Sequence, residues 1–250
     1  MKMKTFIGLI PARRGSLRVP DKNIRRLNNH PLLGYSILSA QSSGIFSKVI
    51  VATDSEQYGE IASYYGADSV FMRDPKTCTA TSLDFEWLSE CYRSGVISSE
   101  YFAILRPTSP FRSASLIKDV AAQFCALGTD SIRTVTKVSE HPGKMWRVSE
   151  SENSMIPFID QPVNQVATHA MQYQSLEVLF IQTSVLELAK TEVLEKYNNR
   201  EGLKISPYVT VGFDNIAIDT ELDWKFVQML SKEMPDLLPK ISKSPFPEIE

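Results

Sequence analysis

The sequence contains few cysteines, and they form no recognisable disulfide or metal-binding pattern. Cys78, Cys91 and Cys125 are the three cysteines in 250 residues, and none of them belongs to a C-x-x-C pair. An odd number of scattered cysteines argues against a disulfide framework, and the missing spacing argues against a zinc site. This usage is typical of a reduced compartment, so we expect a cytoplasmic protein.

Two further absences narrow the class of protein. The formal net charge is -2, so the chain lacks the basic surplus of a general nucleic-acid binder. No apolar run approaches the roughly 20 residues of a membrane-spanning helix. The basic start at Met1 to Lys4 precedes too short an apolar run for a signal sequence. We therefore expect neither nucleic acid nor a membrane as a partner.

Short apolar runs alternate with helical patterns along most of the chain. Strands are predicted at residues 6–10, 48–52, 68–72, 101–105, 130–136 and 176–181, and helices at residues 31–40, 55–65, 81–91 and 115–127. Thr220 is expected to cap a last helix with Trp224, Phe226, Val227 and Leu230 on its inner face, and the tail from Lys232 predicts a short helix and a loose end. This alternation predicts one α/β domain, residues 1–250, with a doubly wound and mostly parallel sheet.

The first polar loop has the chemistry of a phosphate site. It follows the apolar run that ends at Ile10 and carries Gly15, Ser16 and four cations, which are Arg13, Arg14, Arg18 and Lys22. Glycine lets the backbone approach a ligand, serine adds a donor, and the cations can neutralise a triphosphate. Ligands of open α/β sheets bind where strands end, which favours this interpretation over a solvated basic loop. The loop is neither a P-loop nor a dinucleotide fingerprint.

A second loop follows the strand at residues 101–105 and is held between two prolines. It runs from Arg106 through Thr108 and Ser109 to Arg112, so hydroxyls and guanidinium groups can face an anionic sugar. Later, Asp219 precedes the helix capped by Thr220. Between these motifs, residues from about 139 to 175 break the alternation with aromatic and methionine side chains, which predicts a hairpin-rich excursion.

These motifs resemble those of the acylneuraminate cytidylyltransferase family. The first loop matches its opening pattern at Pro11, Ala12, Arg13, Gly15, Ser16, Pro20, Lys22 and Asn23. The second loop and the Asp219 motif follow in the family's order. Three of the positions that depart from it lie in these motifs: Leu17 stands where the family has a lysine, Arg106 where it has a glutamine, and Ala217 where it has a metal-binding aspartate.

The resemblance implies transfer of CMP from CTP to a sugar acid, with Mg²⁺ as cofactor and a homodimer as the assembly. It implies catalytic roles for Arg13, Arg18 and Lys22, and a metal-binding role for Asp219. Nucleotide contacts are expected from Pro11, Ala12, Arg13, Gly15, Ser16, Asn23, Arg73 and Ser82. Substrate contacts are expected from Arg106, Thr108, Ser109, Arg112 and Lys144, the last lying in the dimerisation insertion at about residues 139–175.

The departures from the family pattern leave two alternatives open. A fixed charge at Arg106 suits a phosphate as well as a carboxylate, so the acceptor could be a sugar phosphate and the nucleotide another NTP. Loss of a loop lysine and of one metal ligand also suits a homologue that binds a nucleotide or sugar nucleotide without turnover. For Ser82, a role in capping the helix at residues 81–91 is as well supported as contact with the nucleotide.

Overall fold

The computed structural model describes residues 5–160 and 166–247. The chain forms two compact units, one made of residues 1–134 and 183–250 and the other of residues 135–182. The described residues of the predicted excursion at about 139–175 belong to the second unit, and residues 161–165 of that range lie outside the described part of the chain. No helix in the described part of the chain is long and apolar enough to cross a membrane.

The elements alternate as the apolar pattern predicts. The strands of the described residues are β1 (Phe6–Pro11), β2 (Arg26–Leu27), β3 (His30–Pro31), β4 (Phe46–Thr53), β5 (Ser69–Met72), β6 (Tyr101–Ile104), β7 (Ser131–Lys137), β8 (Trp146–Ser149), β9 (Ser154–Pro157), β10 (Phe180–Lys190) and β11 (Ile205–Val209). The α-helices are α1 (Leu32–Ser43), α2 (Glu56–Tyr64), α3 (Asp84–Arg93), α4 (Ala114–Leu127), α5 (Glu192–Lys196) and α6 (Glu221–Glu233).

Seven strands form one sheet in the order β11-β7-β10-β6-β1-β4-β5. β1 pairs in parallel with β4 and β6, and β4 pairs in parallel with β5, whereas β10 runs antiparallel to β6. Apolar residues on α1, α2 and α4 share one core cluster with the sheet, and those on α3 and α5 share another. Helices therefore cover both faces, which confirms the predicted doubly wound, mostly parallel α/β fold.

The central strand shows why this fold follows from the sequence. Phe6 and Ile10 belong to one core cluster, while Ile7 and Leu9 belong to the other. Successive side chains of a strand point to opposite faces, so a continuous apolar run needs cover on both sides. The four parallel strands β6, β1, β4 and β5 also end at the same edge, and this edge carries the polar loops.

Helix α6 begins as predicted, but the predicted position of Phe226 on its inner face is wrong. The Thr220 hydroxyl accepts from the Asp223 N–H (3.2 Å), and the Asp223 carboxylate accepts from the Thr220 N–H (2.7 Å), a capping box. Trp224 and Val227 are buried on the inner face, but Phe226 is 45% exposed. A residue two positions from Trp224 lies about 200° around the helix, so it faces outward.

Two other local predictions are wrong. The strand expected at residues 176–181 begins later, because β10 starts at Phe180 and runs to Lys190 through polar residues that hid its periodicity. The tail is not loose: Lys243 Nζ donates to the Tyr64 carbonyl (2.7 Å), and the Phe246 N–H donates to the Tyr65 hydroxyl (3.3 Å). Hydrogen bonds between side-chain and backbone groups far apart in sequence fix the tail, and no local sequence pattern predicts them.

The second unit contains a hairpin with apolar side chains on its surface. β8 and β9 pair antiparallel, with Trp146 opposite Pro157 and Val148 opposite Met155. Val148 is 70% exposed and Ile156 is 61% exposed. Trp146 is packed against His169 at 4.6 Å between ring centroids. The hairpin agrees with the predicted excursion.

Candidate active site

The loops at the carboxyl edge of the sheet enclose a cavity of about 270 Å³ in the first unit. Nine residues that the sequence predicts to bind ligand line it: Pro11, Arg13, Ser16, Lys22, Asn23, Arg73, Ser82, Arg106 and Thr108. Its remaining lining residues are Thr77, Thr79, Ala80, Asp84, Trp87 and Pro107. A cavity of similar volume lies beside the C-terminal segment, but none of the predicted site residues lines it. The first cavity is therefore the candidate active site.

Hydrogen bonds to backbone groups of the first loop fix its conformation. The Thr53 hydroxyl donates to the Ala12 carbonyl (2.7 Å), and the Asn23 amide donates to the Arg13 carbonyl (3.0 Å). The Arg14 N–H donates to Asp54 Oδ1 at 2.8 Å. Gly15 has a φ of +76°, in the left-handed region that a side chain would strain. Asn23 therefore supports the loop from within while also lining the cavity.

The cations of this loop differ in how they are held. Arg13 Nη1 donates to the Gly15 carbonyl (3.2 Å), and no carboxylate pairs with it among the described residues. Lys22 Nζ donates to the Ile218 carbonyl (2.7 Å) and lies 3.5 Å from Asp219 Oδ1. Burial lowers the pKa of Lys22, and the Asp219 carboxylate opposes that shift. Of the two loop cations that line the cavity, Arg13 is therefore the one without a carboxylate partner among the described residues.

Asp219 is bound to the first loop. Arg18 Nη2 lies 3.2 Å from Asp219 Oδ1, with 71% of the Arg18 side chain exposed. The Ile218 N–H donates to the Thr108 carbonyl at 2.9 Å, so the segment before Asp219 is also attached to the second loop. Neither Arg18 nor Asp219 lines the cavity. Asp219 and Ala217 lie outside any strand, in the segment that precedes α6.

Arg112 was expected to contact the sugar, but its side chain is fully buried. Its guanidinium donates to the carbonyls of Val185 (2.7 Å) and Arg106 (3.1 Å) and to the Ser36 hydroxyl (2.8 Å). No carboxylate pairs with it among the described residues, and burial lowers its pKa to about 9. In this structure Arg112 supports the second loop from inside the core. Ser109 is also buried, at 1% exposure, and does not line the cavity.

Arg106 lines the cavity, and its guanidinium is already paired. Arg106 Nη2 lies 2.5 Å from Asp84 Oδ2 and 3.3 Å from Glu187 Oε1, and Arg106 Nη1 donates to Asp84 Oδ1 (3.3 Å). Burial opposes ionisation of Asp84, but Arg106 and Arg200 outweigh it and lower the pKa of Asp84 to about 2. Sequence reasoning missed these partners because they lie on separate elements, at the start of α3 and in β10.

The far wall of the cavity comes from the segment between β5 and α3. The Ser82 hydroxyl donates to the Lys76 carbonyl (3.1 Å) and accepts from the Thr79 N–H (3.1 Å). The predicted role of Ser82 as a helix cap is wrong. Helix α3 begins at Asp84, and the Leu83 N–H donates to the Glu86 carboxylate (3.2 Å). Ser82 instead ties together residues 76–82. Thr77 and Thr79 of this segment also line the cavity, and the sequence motifs do not single them out.

Lys144 belongs to the second unit. Its ammonium donates to the carbonyls of Met171 (2.8 Å) and His169 (3.2 Å). These bonds stabilise the turn that precedes β8. Its predicted contact with the sugar remains a prediction.

Comparison with known families identifies the chain. A family model described as cytidylyltransferase matches residues 7–203, which include both loops of the cavity. The chain belongs to the cytidylyltransferase family. This result confirms the resemblance on which the site prediction rested.

Three curated relatives of this cytidylyltransferase are each named for a sugar acid. An N-acylneuraminate cytidylyltransferase of Escherichia coli is 46% identical over 156 residues, which is 62% of this chain and 36% of that protein. The protein of that name from Streptococcus agalactiae is 34% identical over 146 residues, 58% of this chain and 35% of that protein. The chain thus spans about a third of the length of these relatives. A CMP-N,N'-diacetyllegionaminic acid synthase of Legionella pneumophila is 27% identical over 228 residues, 90% of this chain and 95% of that protein.

Solved structures show the same fold. The CMP:2-keto-3-deoxy-manno-octonic acid synthetase complexed with CTP superposes with a TM-score of 0.68 at 15% identity, covering 92% of this chain and 99% of that one. A 4-diphosphocytidyl-2C-methyl-D-erythritol synthase from Anaerococcus prevotii superposes with a TM-score of 0.59 at 13% identity, again over 92% of this chain and 99% of that one. At these identities the likeness concerns the fold alone.

Proposed function

We propose that this cytidylyltransferase transfers CMP from CTP to a hydroxyl of a sugar acid and releases pyrophosphate. The observation that carries the proposal is the cavity that gathers the cationic first loop and the second loop at one sheet edge. Relatives named for N-acylneuraminate, diacetyllegionaminic acid and pseudaminic acid support a sugar acid as acceptor. The solved synthetase complexed with CTP supports CTP as the nucleotide.

The residues of the cavity suit phosphate chemistry that needs little covalent work from the protein. The acceptor hydroxyl attacks the α-phosphorus in line: its oxygen bonds to that phosphorus as the bond from the phosphorus to the pyrophosphate oxygen breaks, and the hydroxyl proton passes to water as pyrophosphate leaves. Arg13 and Lys22 are placed to neutralise the triphosphate, and Ser16 offers a hydroxyl donor. Arg18 would add charge once it leaves Asp219. Catalysis then comes from positioning and charge stabilisation.

Magnesium is proposed as the cofactor, arriving with the nucleotide. The described residues contain no group of three or more His, Cys, Asp or Glu side chains that could hold a metal. Asp223 is used by the cap of α6, but Asp219 is half-exposed and its Oδ2 has no bond to any described residue. One free carboxylate oxygen fits a hard cation whose other ligands are phosphate and water. When bound, Mg²⁺ would screen charge between the nucleotide and the attacking hydroxyl.

A homodimer and a cytoplasmic location complete the proposal. The exposed apolar side chains of the β8–β9 hairpin, among them Val148 and Ile156, support association of the second units of two copies. The cysteines support a reducing compartment, since Cys78, Cys91 and Cys125 are all free thiols.

Pyrophosphate release tests the function. The protein would be incubated with Mg²⁺, each of the four ribonucleoside triphosphates, and a panel of sugar acids and sugar phosphates. Release that requires both CTP and a sugar acid supports the proposal. Release with a sugar phosphate and another nucleotide would favour the first alternative, and CTP binding without release would favour a non-catalytic homologue.

A further inference from the structure

The end of the cavity formed by Arg106 is paired with carboxylates before any ligand enters. Arg106 lies directly after β6, with Asp84 on one side and Glu187 on the other. The contacts use three of the five N–H donors of the guanidinium, and Arg106 still lines the cavity. Arg106 therefore has N–H groups left that can bind a ligand, but the paired carboxylates cancel most of its positive charge.

The pairing is part of a larger cluster, which makes it hard to disturb. Arg200 reaches both Asp84 and Glu187, and Arg133 lies 3.0 Å from Glu187 Oε2. At least three-quarters of each of these side chains is buried. Buried guanidinium and carboxylate groups hold one another in fixed geometry, because leaving either without its partner is costly. Arg106 cannot turn freely toward an incoming anion.

Asp84 lines the same cavity, so an anion near Arg106 also faces a carboxylate. Asp84 begins helix α3, where the helix dipole favours a negative charge, and the Trp87 indole N–H donates to its Oδ1 (3.0 Å). A phosphate dianion at this end of the cavity would be repelled by Asp84, whereas a hydroxyl or an acetamido group could bind to Arg106. The two side chains together suit an uncharged part of an acceptor.

We infer that Asp84 determines acceptor specificity: by pairing with Arg106 it makes this end of the cavity take uncharged hydrogen-bonding groups and reject a phosphorylated acceptor. The inference rests on the proposed function only in naming the ligand as the acceptor. Asp84 acts through Arg106 as well as by its own charge, so it is a positioning residue. Arg106, which stands where the family has an uncharged glutamine, thus resembles that residue in its net effect.

The test is binding of glucose 1-phosphate, used as a sugar-phosphate probe, to the protein saturated with CTP. Asp84→Asn frees the charge of Arg106 and removes the repelling carboxylate. We expect the dissociation constant of the probe to fall about tenfold or more. In Asp84→Asn combined with Arg106→Gln, the part of the gain that comes from the freed charge of Arg106 should disappear, so the affinity should fall well below that of Asp84→Asn. Binding needs no turnover, so this result stands apart from success or failure of the pyrophosphate assay.

Two outcomes would overturn the inference. Unchanged affinity of folded Asp84→Asn for the probe would show that the pairing does not control this end of the cavity. An equal gain in Asp84→Asn with and without Arg106→Gln would show that Arg106 does not contribute to binding of the probe. If Asp84→Asn does not fold, Asp84→Ser offers a second way to free Arg106, and it must show the same gain and the same partial loss with Arg106→Gln. Lys190→Gln, in an ion pair with Asp130 elsewhere on the sheet, is the matched control and should leave probe affinity unchanged.

Discussion

Arg13→Ala should weaken CTP binding strongly while hardly changing stability. In the free protein the guanidinium bonds the carbonyls of Gly15 (3.2 Å) and Arg14 (3.4 Å), both in its own loop. Loss of such exposed contacts changes the free energy of unfolding by about 0.5 kcal/mol or less. A charge-assisted bond to a phosphate contributes about 1.5–3 kcal/mol, so the dissociation constant for CTP should rise roughly 10- to 150-fold. Calorimetric titration with CTP and Mg²⁺ measures the affinity, and thermal unfolding measures the stability.

Arg25→Ala provides the crossed control. Arg25 Nη1 lies 2.6 Å from Glu221 Oε1, and its guanidinium lies 4.4 Å from the centre of the Trp224 ring. We expect this variant to lose about 1 kcal/mol of stability and to bind CTP normally. The reasoning is refuted if Arg13→Ala keeps its CTP affinity but melts at a much lower temperature, since Arg13 would then be structural.

Three further predictions concern the affinity for Mg²⁺, the dimer and the stability of the protein at low pH. Mg²⁺ should bind weakly to the free protein and much more tightly with CTP, and Ala217→Asp should raise its affinity; tight Mg²⁺ binding that survives Asp219→Ala in calorimetry would remove the assignment. Ile156→Glu should shift the protein from dimer to monomer in light scattering, and a monomeric parent protein would count against the dimer. The folded pKa of Asp84, about 2, lies below its ordinary 3.8, so its stabilising contribution is present above that value and is lost as the pH falls toward 2. Urea unfolding across this range should therefore be less pH-dependent in Asp84→Asn than in the parent protein, and equal pH dependence would contradict the assignment.

Most of the fold could be predicted because its signals are local. The buried strands β1, β4 and β6 are mostly apolar, and helices α2, α4 and α6 start at hydroxyl caps, as at Thr220. Parallel strands end at one edge, so the two loops could be predicted to meet there, and the cavity contains residues from both. The prediction of a loose tail is wrong because the residues that bind the tail, Tyr64 and Tyr65, lie about 180 residues away in sequence.

Much of the remaining site depends on which charged side chains pair with one another. The sequence presents Arg106 and Arg112 as similar cations on one loop, but one pairs with Asp84 and the other is buried against carbonyl oxygens. No spacing rule distinguishes them, because their partners come from α3, β10 and α1. The position of Arg18 beside Asp219 is equally non-local. These pairings decide which cations are free to bind a ligand.

The central claim is that the cavity between the two loops transfers CMP from CTP to a sugar acid. Phosphorus NMR of the protein with CTP, Mg²⁺ and N-acetylneuraminate, diacetyllegionaminate or pseudaminate follows every phosphorus atom of the reaction. The account predicts that the triphosphate signals give way to a phosphodiester signal and pyrophosphate, and that they persist when the sugar acid is omitted. Intact CTP with every sugar acid, in a protein that binds CTP, would contradict it.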